Sequence, residues 1–265
     1  MSAVLLTCGL GDFVAIDSFL TEGERLSVDT IHWATRARKA LEAMVPFVFP
    51  NAQVHIIERD DFGAPFTPDF CVSSRDELPN LPPDVIDMSV ANVAADVRAG
   101  ARAYTGSRFV ERTVTAATFA ALERVYALPP RYMVVHPFSE NARTAERDLT
   151  QEEWLAVQRY AAERDLCMVV LNQGGERLQN STAAVLDLSD RTGILEAIEI
   201  TKHAEVFLGC SSVFAAIAAK VLPQPRVFVK ANHSVKRFFY WLYYSPLDTN
   251  TFVTDDLRKI IPHYG

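Results

Sequence analysis

Asp12 directly follows an apolar run and a glycine pair in the stretch LLTCGLGDFVAI, residues 5–16. Three roles suit this arrangement. The Gly9-Leu10-Gly11 turn begins like a dinucleotide fingerprint, but Val14 stands where the third small residue belongs, and the charge of Asp12 repels an approaching pyrophosphate. Aspartate also caps helices well, so Asp12 could simply start the next helix. If residues 3–8 form a strand, however, Asp12 lies beyond its carboxyl end, where open parallel sheets bind ligands. A carboxylate in that place can act as general base toward a hydroxyl.

A second stretch, VFLGCSSVFAAIAAKV at 206–221, reads as strand, short turn and helix. Helix starts carry unpaired N–H groups and a partial positive charge, so the backbone near Ser211, Ser212 and Val213 can hold a phosphate, with the two hydroxyls as added donors. Either serine also serves as an N-cap, and the two roles are compatible. A serine in a strand-to-helix turn can instead be a hydrolase nucleophile. Here Val213 replaces the closing glycine of G-x-S-x-G, and His136 and His233 come with no evident acid partner.

Three further stretches supply polar groups. VVHPFSENARTAERDLTQEEW, 134–154, runs from a strand through a loop holding Arg143 and Arg147 into a helix opened by a capping box at Thr150. Guanidinium groups pair with diphosphate oxygens in bidentate fashion. LNQGGERL, 171–178, follows another strand and offers Glu176 to ribose hydroxyls or to a helix start. VKANHSVKRFFYWLYYSP, 229–246, interleaves Lys230, His233, Lys236 and Arg237 with aromatics. Such a run suits single-stranded nucleic acid, a membrane surface, or a partly buried helix closing a domain.

Bulk composition bounds these options. The chain has 265 residues, 49% apolar and 22% charged, which is ordinary for a globular enzyme of one large or two small domains. A net charge of −7 argues against a broad nucleic-acid surface. Cys8, Cys71, Cys167 and Cys210 lie far apart with no C-x-x-C, so neither a zinc site nor a disulfide framework is expected. No apolar run approaches the length of a membrane span and no cleavable leader opens the chain, so a cytoplasmic location is expected.

The elements that must position these residues alternate. Short apolar runs at 3–8, 53–58, 69–73, 84–89, 132–137, 167–172, 205–209 and 226–230 look like parallel strands covered on both faces. Helical patterns lie at 29–45, 115–127, 151–164, 194–203 and 212–221. This alternation implies βα units and parallel sheets. Prolines in YALPPRY, 126–132, divide the strands into two sets of four. Two Rossmann-like α/β domains are expected, at 1–128 and 129–265.

Taken together, the stretches resemble the GT-B glycosyltransferases, and in particular the ADP-heptose:lipopolysaccharide heptosyltransferase-like family (glycosyltransferase family 9-like). Gly9, Leu10, Gly11 and Asp12 match that family's first turn, and His136, Pro137 and Trp154 match the opening of its second domain. Arg143 or Arg147 stands for its phosphate-contacting lysine, depending on the direction of counting. Gly174, Gly175 and Glu176 match its next turn. Its D-[ST]-G-x-x-H-x-A-A loop is represented by Cys210, Ser211 and Ser212 followed by Val213, Phe214, Ala215 and Ala216, without the acid or the histidine. The resemblance is fullest over 132–230, and the first domain is expected to be trimmed.

The resemblance implies two Rossmann-like domains facing a cleft. A nucleoside-diphosphate sugar would sit mainly in the second domain, touching Gly11, Arg143, Arg147, Glu176, Ser211, Ser212 and Val213. Lys230, His233 and Lys236 would be available to the acceptor or a phosphate. Asp12 would take the acceptor proton in an inverting transfer that needs no metal or other cofactor. The acceptor, whether glycan, small molecule or modified nucleic-acid base, is left open, as is the oligomeric state. A nucleotide-binding protein of the same fold without transfer activity, and an α/β hydrolase using Ser211, are the competing readings.

Overall fold

A computed structural model describes residues 2–6, 10–34, 38–57, 84–88, 90–112, 116–138, 148–172, 184–222, 226–231 and 251–261. The chain divides into two compact units, residues 1–112 and 113–265. Each is built on a parallel sheet.

In the first unit, strands β1 (Ser2–Leu6), β2 (Val28–Ala34), β3 (Gln53–Ile57) and β4 (Ile86–Asp87) lie in the order β3-β2-β1-β4, all parallel. Helix α1 (Leu10–Asp17) follows β1, α2 (Glu22–Ser27) precedes β2, α3 (Arg38–Val48) precedes β3, and α4 (Val90–Arg98) and α5 (Arg108–Arg112) close the unit. Residues Phe13 to Ile16 of α1 have no exposure, so this helix lies at the unit's centre rather than on its surface.

The far end of α1 is tied down by a buried charge. The fully buried Asp17 accepts from Arg25 Nη2 at 3.1 Å, from Ser107 Oγ at 2.6 Å and from the Phe109 N–H at 3.0 Å. Arg25 also donates to the carbonyls of Asp17 and Gly106. A buried carboxylate is tolerated only when paired and hydrogen-bonded in this way. The helix that begins beside Asp12 is thereby fixed to the segment leading into α5.

One expectation fails here. Residues 29–45, expected to be one helix, contain β2 followed by α3. Val28, Thr30, Ile31 and Trp33 are β-branched or aromatic, and pairing with β1 and β3 on both sides decides their state. The expected strand at 69–73 lies outside the described residues.

In the second unit, β5 (Tyr132–His136), β6 (Cys167–Val170), β7 (Val185–Asp187), β8 (Val206–Cys210), β9 (Val227–Lys230) and β10 (Thr251–Thr254) form a six-stranded parallel sheet in the order β10-β9-β8-β5-β6-β7. Helices α6 (Ala116–Tyr126), α7 (Gln151–Glu163), α8 (Ile194–Lys202) and α9 (Val213–Val221) pack on it, with a 3-10 turn at Leu257–Lys259. Alternate residues of one strand serve opposite cores: Val134, Val169, Phe207 and Val229 face α6, α8 and α9, while Met133, Val135, Met168 and Phe228 face α7 and the 257–261 segment. Both faces are covered, which explains the unbroken apolar runs. Helix α6, placed by its sequence before the proline break, belongs with this unit, its Leu122 and Tyr126 lying in the α8–α9 core.

Candidate functional site

Strand order fixes where a ligand can enter the second unit. From β5 the chain steps outward to β6 and β7, then returns to the other side of β5 for β8, β9 and β10. The switch point therefore lies between the carboxyl ends of β5 and β8, where doubly wound sheets bind ligands. Those ends are His136-Pro137 and Gly209-Cys210-Ser211.

The two strands meet closely there. His136 and Gly209 are register partners, and a Cβ on Gly209 would come within 2.4 Å of the His136 carbonyl oxygen. Glycine is thus a packing requirement at this position, since no side chain fits against the neighbouring backbone.

His136 is buried and its ring is held from two sides. Nδ1 lies 2.5 Å from the Leu171 carbonyl, and the ring meets Phe214 of α9 edge to face at 5.0 Å between centres. A carbonyl only accepts, so Nδ1 carries the proton and Nε2 holds a lone pair. Burial pushes the imidazole pKa down to about 4, against the opposing effects of the Leu171 carbonyl and Asp148. The ring is neutral at pH 7 and brings no positive charge to the switch point.

This has a consequence for stability. The unfolded imidazole takes its proton near pH 6.5, whereas the folded one resists until about pH 4. Between those values the unfolded state binds more protons, so stability is complete above the unfolded pKa and falls as pH drops through the window. The loss is expected to total about 3 kcal/mol. Urea denaturation of the wild type and of His136→Gln at pH 7 and pH 4.5 checks it: the variant should lose visibly less stability, and equal losses would exclude His136 as the source.

Helix α9 begins at the same place. Ser212 is its N-cap, with extended backbone and a side chain accepting the Ala215 N–H at 3.4 Å, while the Ser212 carbonyl accepts the Ala216 N–H. The N–H groups of Val213 and Phe214 find no acceptor among the described residues. These are the donors a helix start offers to an anion. Ser211 is nearly buried, and its N–H donates to the Lys230 carbonyl, extending the β8–β9 ladder. It is absent from the positive-φ residues, so it lacks the strained backbone of a nucleophile elbow.

Lys230, at the end of β9, is drawn under the sheet. Its ammonium donates to Glu153 Oε2 and to the Asp148 carbonyl, both at 2.6 Å, and both charged side chains are buried. Glu153 is the third helical residue of the Thr150 capping box, which forms as expected, and its Oε1 also accepts the Leu257 N–H. The Leu149 N–H donates to the Pro137 carbonyl, so the chain returns to the end of β5 before entering α7.

The sequence-derived candidates separate into three sets. Ser211, Ser212, Val213 and Lys230 converge with His136 at the carboxyl edge of the second sheet. Gly11 and Asp12 lie in the first turn of α1, after β1, in the first unit. That unit has its own reversal of strand order between β1 and β4. Asp12 is partly buried and stands inside the helix at its third residue, not at the N-cap, where the macrodipole favours negative charge. Arg143, Arg147, Glu176, His233 and Lys236 lie outside the described residues.

Sequence reasoning missed the tight contact of Gly209 with His136 and the pairing of Lys230 with Glu153. The second joins residues 77 apart and leaves no local pattern. Among the described residues no helix is long and apolar enough to cross a membrane.

No family model matches the sequence, and no curated protein matches it. Solved structures do. The family 9 glycosyl transferase of Veillonella parvula DSM 2008 superposes with a TM-score of 0.54 at 11% identity, over 100% of this chain and 91% of that one. The ADP-heptose LPS heptosyltransferase II of E. coli superposes with a TM-score of 0.51 at 10% identity, over 99% of this chain and 96% of that one. The two-unit parallel architecture is the GT-B-like fold of these glycosyltransferases.

Proposed function

We propose that the chain is an inverting glycosyltransferase that moves a sugar from a nucleoside-diphosphate sugar to an acceptor hydroxyl. The observation that carries this reading is the switch point of the second unit, where an unpaired helix start faces the place a diphosphate occupies in a doubly wound sheet. The donor diphosphate is held by the N–H groups of Val213 and Phe214, the hydroxyls of Ser211 and Ser212, and Arg143 or Arg147. Glu176 takes the ribose hydroxyls. Donors fixed in this way stabilise the negative charge that builds on the leaving diphosphate, so the transfer needs no metal ion.

Asp12, in the first unit, takes the proton of the acceptor hydroxyl as its oxygen attacks the anomeric carbon. The bond to the diphosphate oxygen breaks on the opposite face, which inverts the sugar. Gly11 lets the chain pass close to the reacting sugar, and His233 and Lys236 supply positive charge near the acceptor or the phosphates, whereas the charge of Lys230 is paired with Glu153. For Lys230 one N–H remains beyond the two that it spends on Glu153 and Asp148.

A panel of sugar nucleotides tests the proposal. Expected is a rise in melting temperature with one class of donor, since a ligand binding only the folded state stabilises it, together with release of its nucleoside diphosphate. Binding without release would point to a nucleotide-binding protein of the same fold. No shift and no release with any donor would overturn the reading.

A further inference from the structure

One pair of side chains in the first unit takes no part in this chemistry. His32 of β2 and His55 of β3 are register partners on adjacent parallel strands. Their ring centres lie 5.5 Å apart with the planes inclined by only 24°. His55 is exposed and His32 partly so. Other described histidines have partners, His136 at the Leu171 carbonyl and His203 at Glu199. Neither His32 nor His55 has a hydrogen-bond partner among the described residues.

We propose that His32 and His55 together form a two-imidazole site for a divalent transition-metal ion of the zinc, copper or nickel class. Imidazole is a preferred ligand for these borderline ions. At the usual zinc–nitrogen distance of about 2.0–2.1 Å, an ion lies about 3 Å from a ring centre, so two imidazoles sharing it tetrahedrally have centres about 5 Å apart. The observed spacing is close to that value. Turning the rings so that their nitrogens converge requires only rotation about χ2, a broad torsion for histidine.

One further feature fits. The shell is otherwise open: among the described residues no group of three or more histidine, cysteine or acidic side chains converges. Asp87 shares the register row through Leu5, but two strand spacings, about 10 Å, separate it from His32. An ion held by these two imidazoles alone has positions left for water or an outside donor. The site does not depend on the transfer chemistry proposed above.

Electron paramagnetic resonance of the full chain with one equivalent of Cu2+ tests the proposal. Expected are nitrogen couplings from two imidazoles in the wild type and from one in His55→Ala and in His32→Ala, with affinity reduced roughly tenfold or more in each. Because His55 is exposed, its variant decides the matter even if His32→Ala folds poorly, and metal-free melting temperatures report that directly. Cu2+ binding with the same affinity and the same couplings in the wild type and in the double variant His32→Ala/His55→Ala would overturn it. The rings would then be a cross-strand packing pair only.

Discussion

Lys230→Met is expected to lower the stability of the second unit by about 3–5 kcal/mol, the usual cost of removing one partner of a buried ion pair. The pair is well enclosed, with 7% exposure at the Lys230 side chain and 2% at Glu153. Methionine keeps the volume of the aliphatic stem and removes the charge. Glu153 would then hold a buried negative charge with, among the described residues, only the N–H groups of Thr150 and Leu257 as donors. The Asp148 carbonyl would lose its ammonium partner as well.

A companion variant separates pairing from packing. Glu153→Met/Lys230→Met removes both charges, so it should lose less than the two single variants added together. Urea denaturation of all four proteins gives the coupling. If Lys230→Met unfolds within about 0.5 kcal/mol of the wild type, as ordinary surface substitutions do, the ammonium is solvated and free for other contacts.

Asp12→Asn is expected to lower the rate of sugar transfer by roughly 10²–10⁴-fold, the usual contribution of a positioned general base. Asparagine matches aspartate in shape but cannot take the acceptor proton. The buried face of α1, from Phe13 to Ile16, and the Asp17 anchor are untouched, so the fold should persist. Affinity for the nucleoside diphosphate should also persist, because its proposed contacts lie in the second unit. If Asp12 serves only the helix start, the substitution costs about 0.3–1 kcal/mol of stability and leaves the rate unchanged. Transfer at the wild-type rate would therefore exclude it as the base.

The second sheet was largely legible because its central strands are buried on every residue and apolar on nearly all of them. Tyr132–His136 and Val206–Cys210 are buried throughout, and such runs announce strands covered on both faces. The helix start at Ser212 and the capping box at Thr150 were legible for a similar reason, since both depend on residues within three positions of one another. Short edge strands were not. Val185–Asp187 and Thr251–Thr254 are three and four residues long and owe their state to a neighbouring strand.

Residues 29–45 show the same limit more sharply. Their apolar spacing admits a helix, and only pairing between β1 and β3 makes 28–34 a strand. In the site, the residue types at Ser211, Ser212 and Val213 signalled a helix start directly. What places them matters as much: Gly209 against the His136 backbone, and Lys230 on a carboxylate in α7. These contacts exist only after the sheet has formed, so no local pattern records them.

The claim that the second unit holds a diphosphate at the start of α9 is tested most directly by calorimetric titration of nucleoside diphosphates into the wild type and Val213→Pro. Proline is well suited to the first helical position, and the extended backbone of Ser212 suits a residue preceding it. The substitution thus keeps the helix and deletes one N–H donor. A hydrogen bond to a charged group is worth about 1.5–3 kcal/mol, so affinity should fall roughly 10- to 100-fold while the melting temperature of the free protein holds. Equal affinity in the two proteins, or no binding by the wild type, would contradict the account.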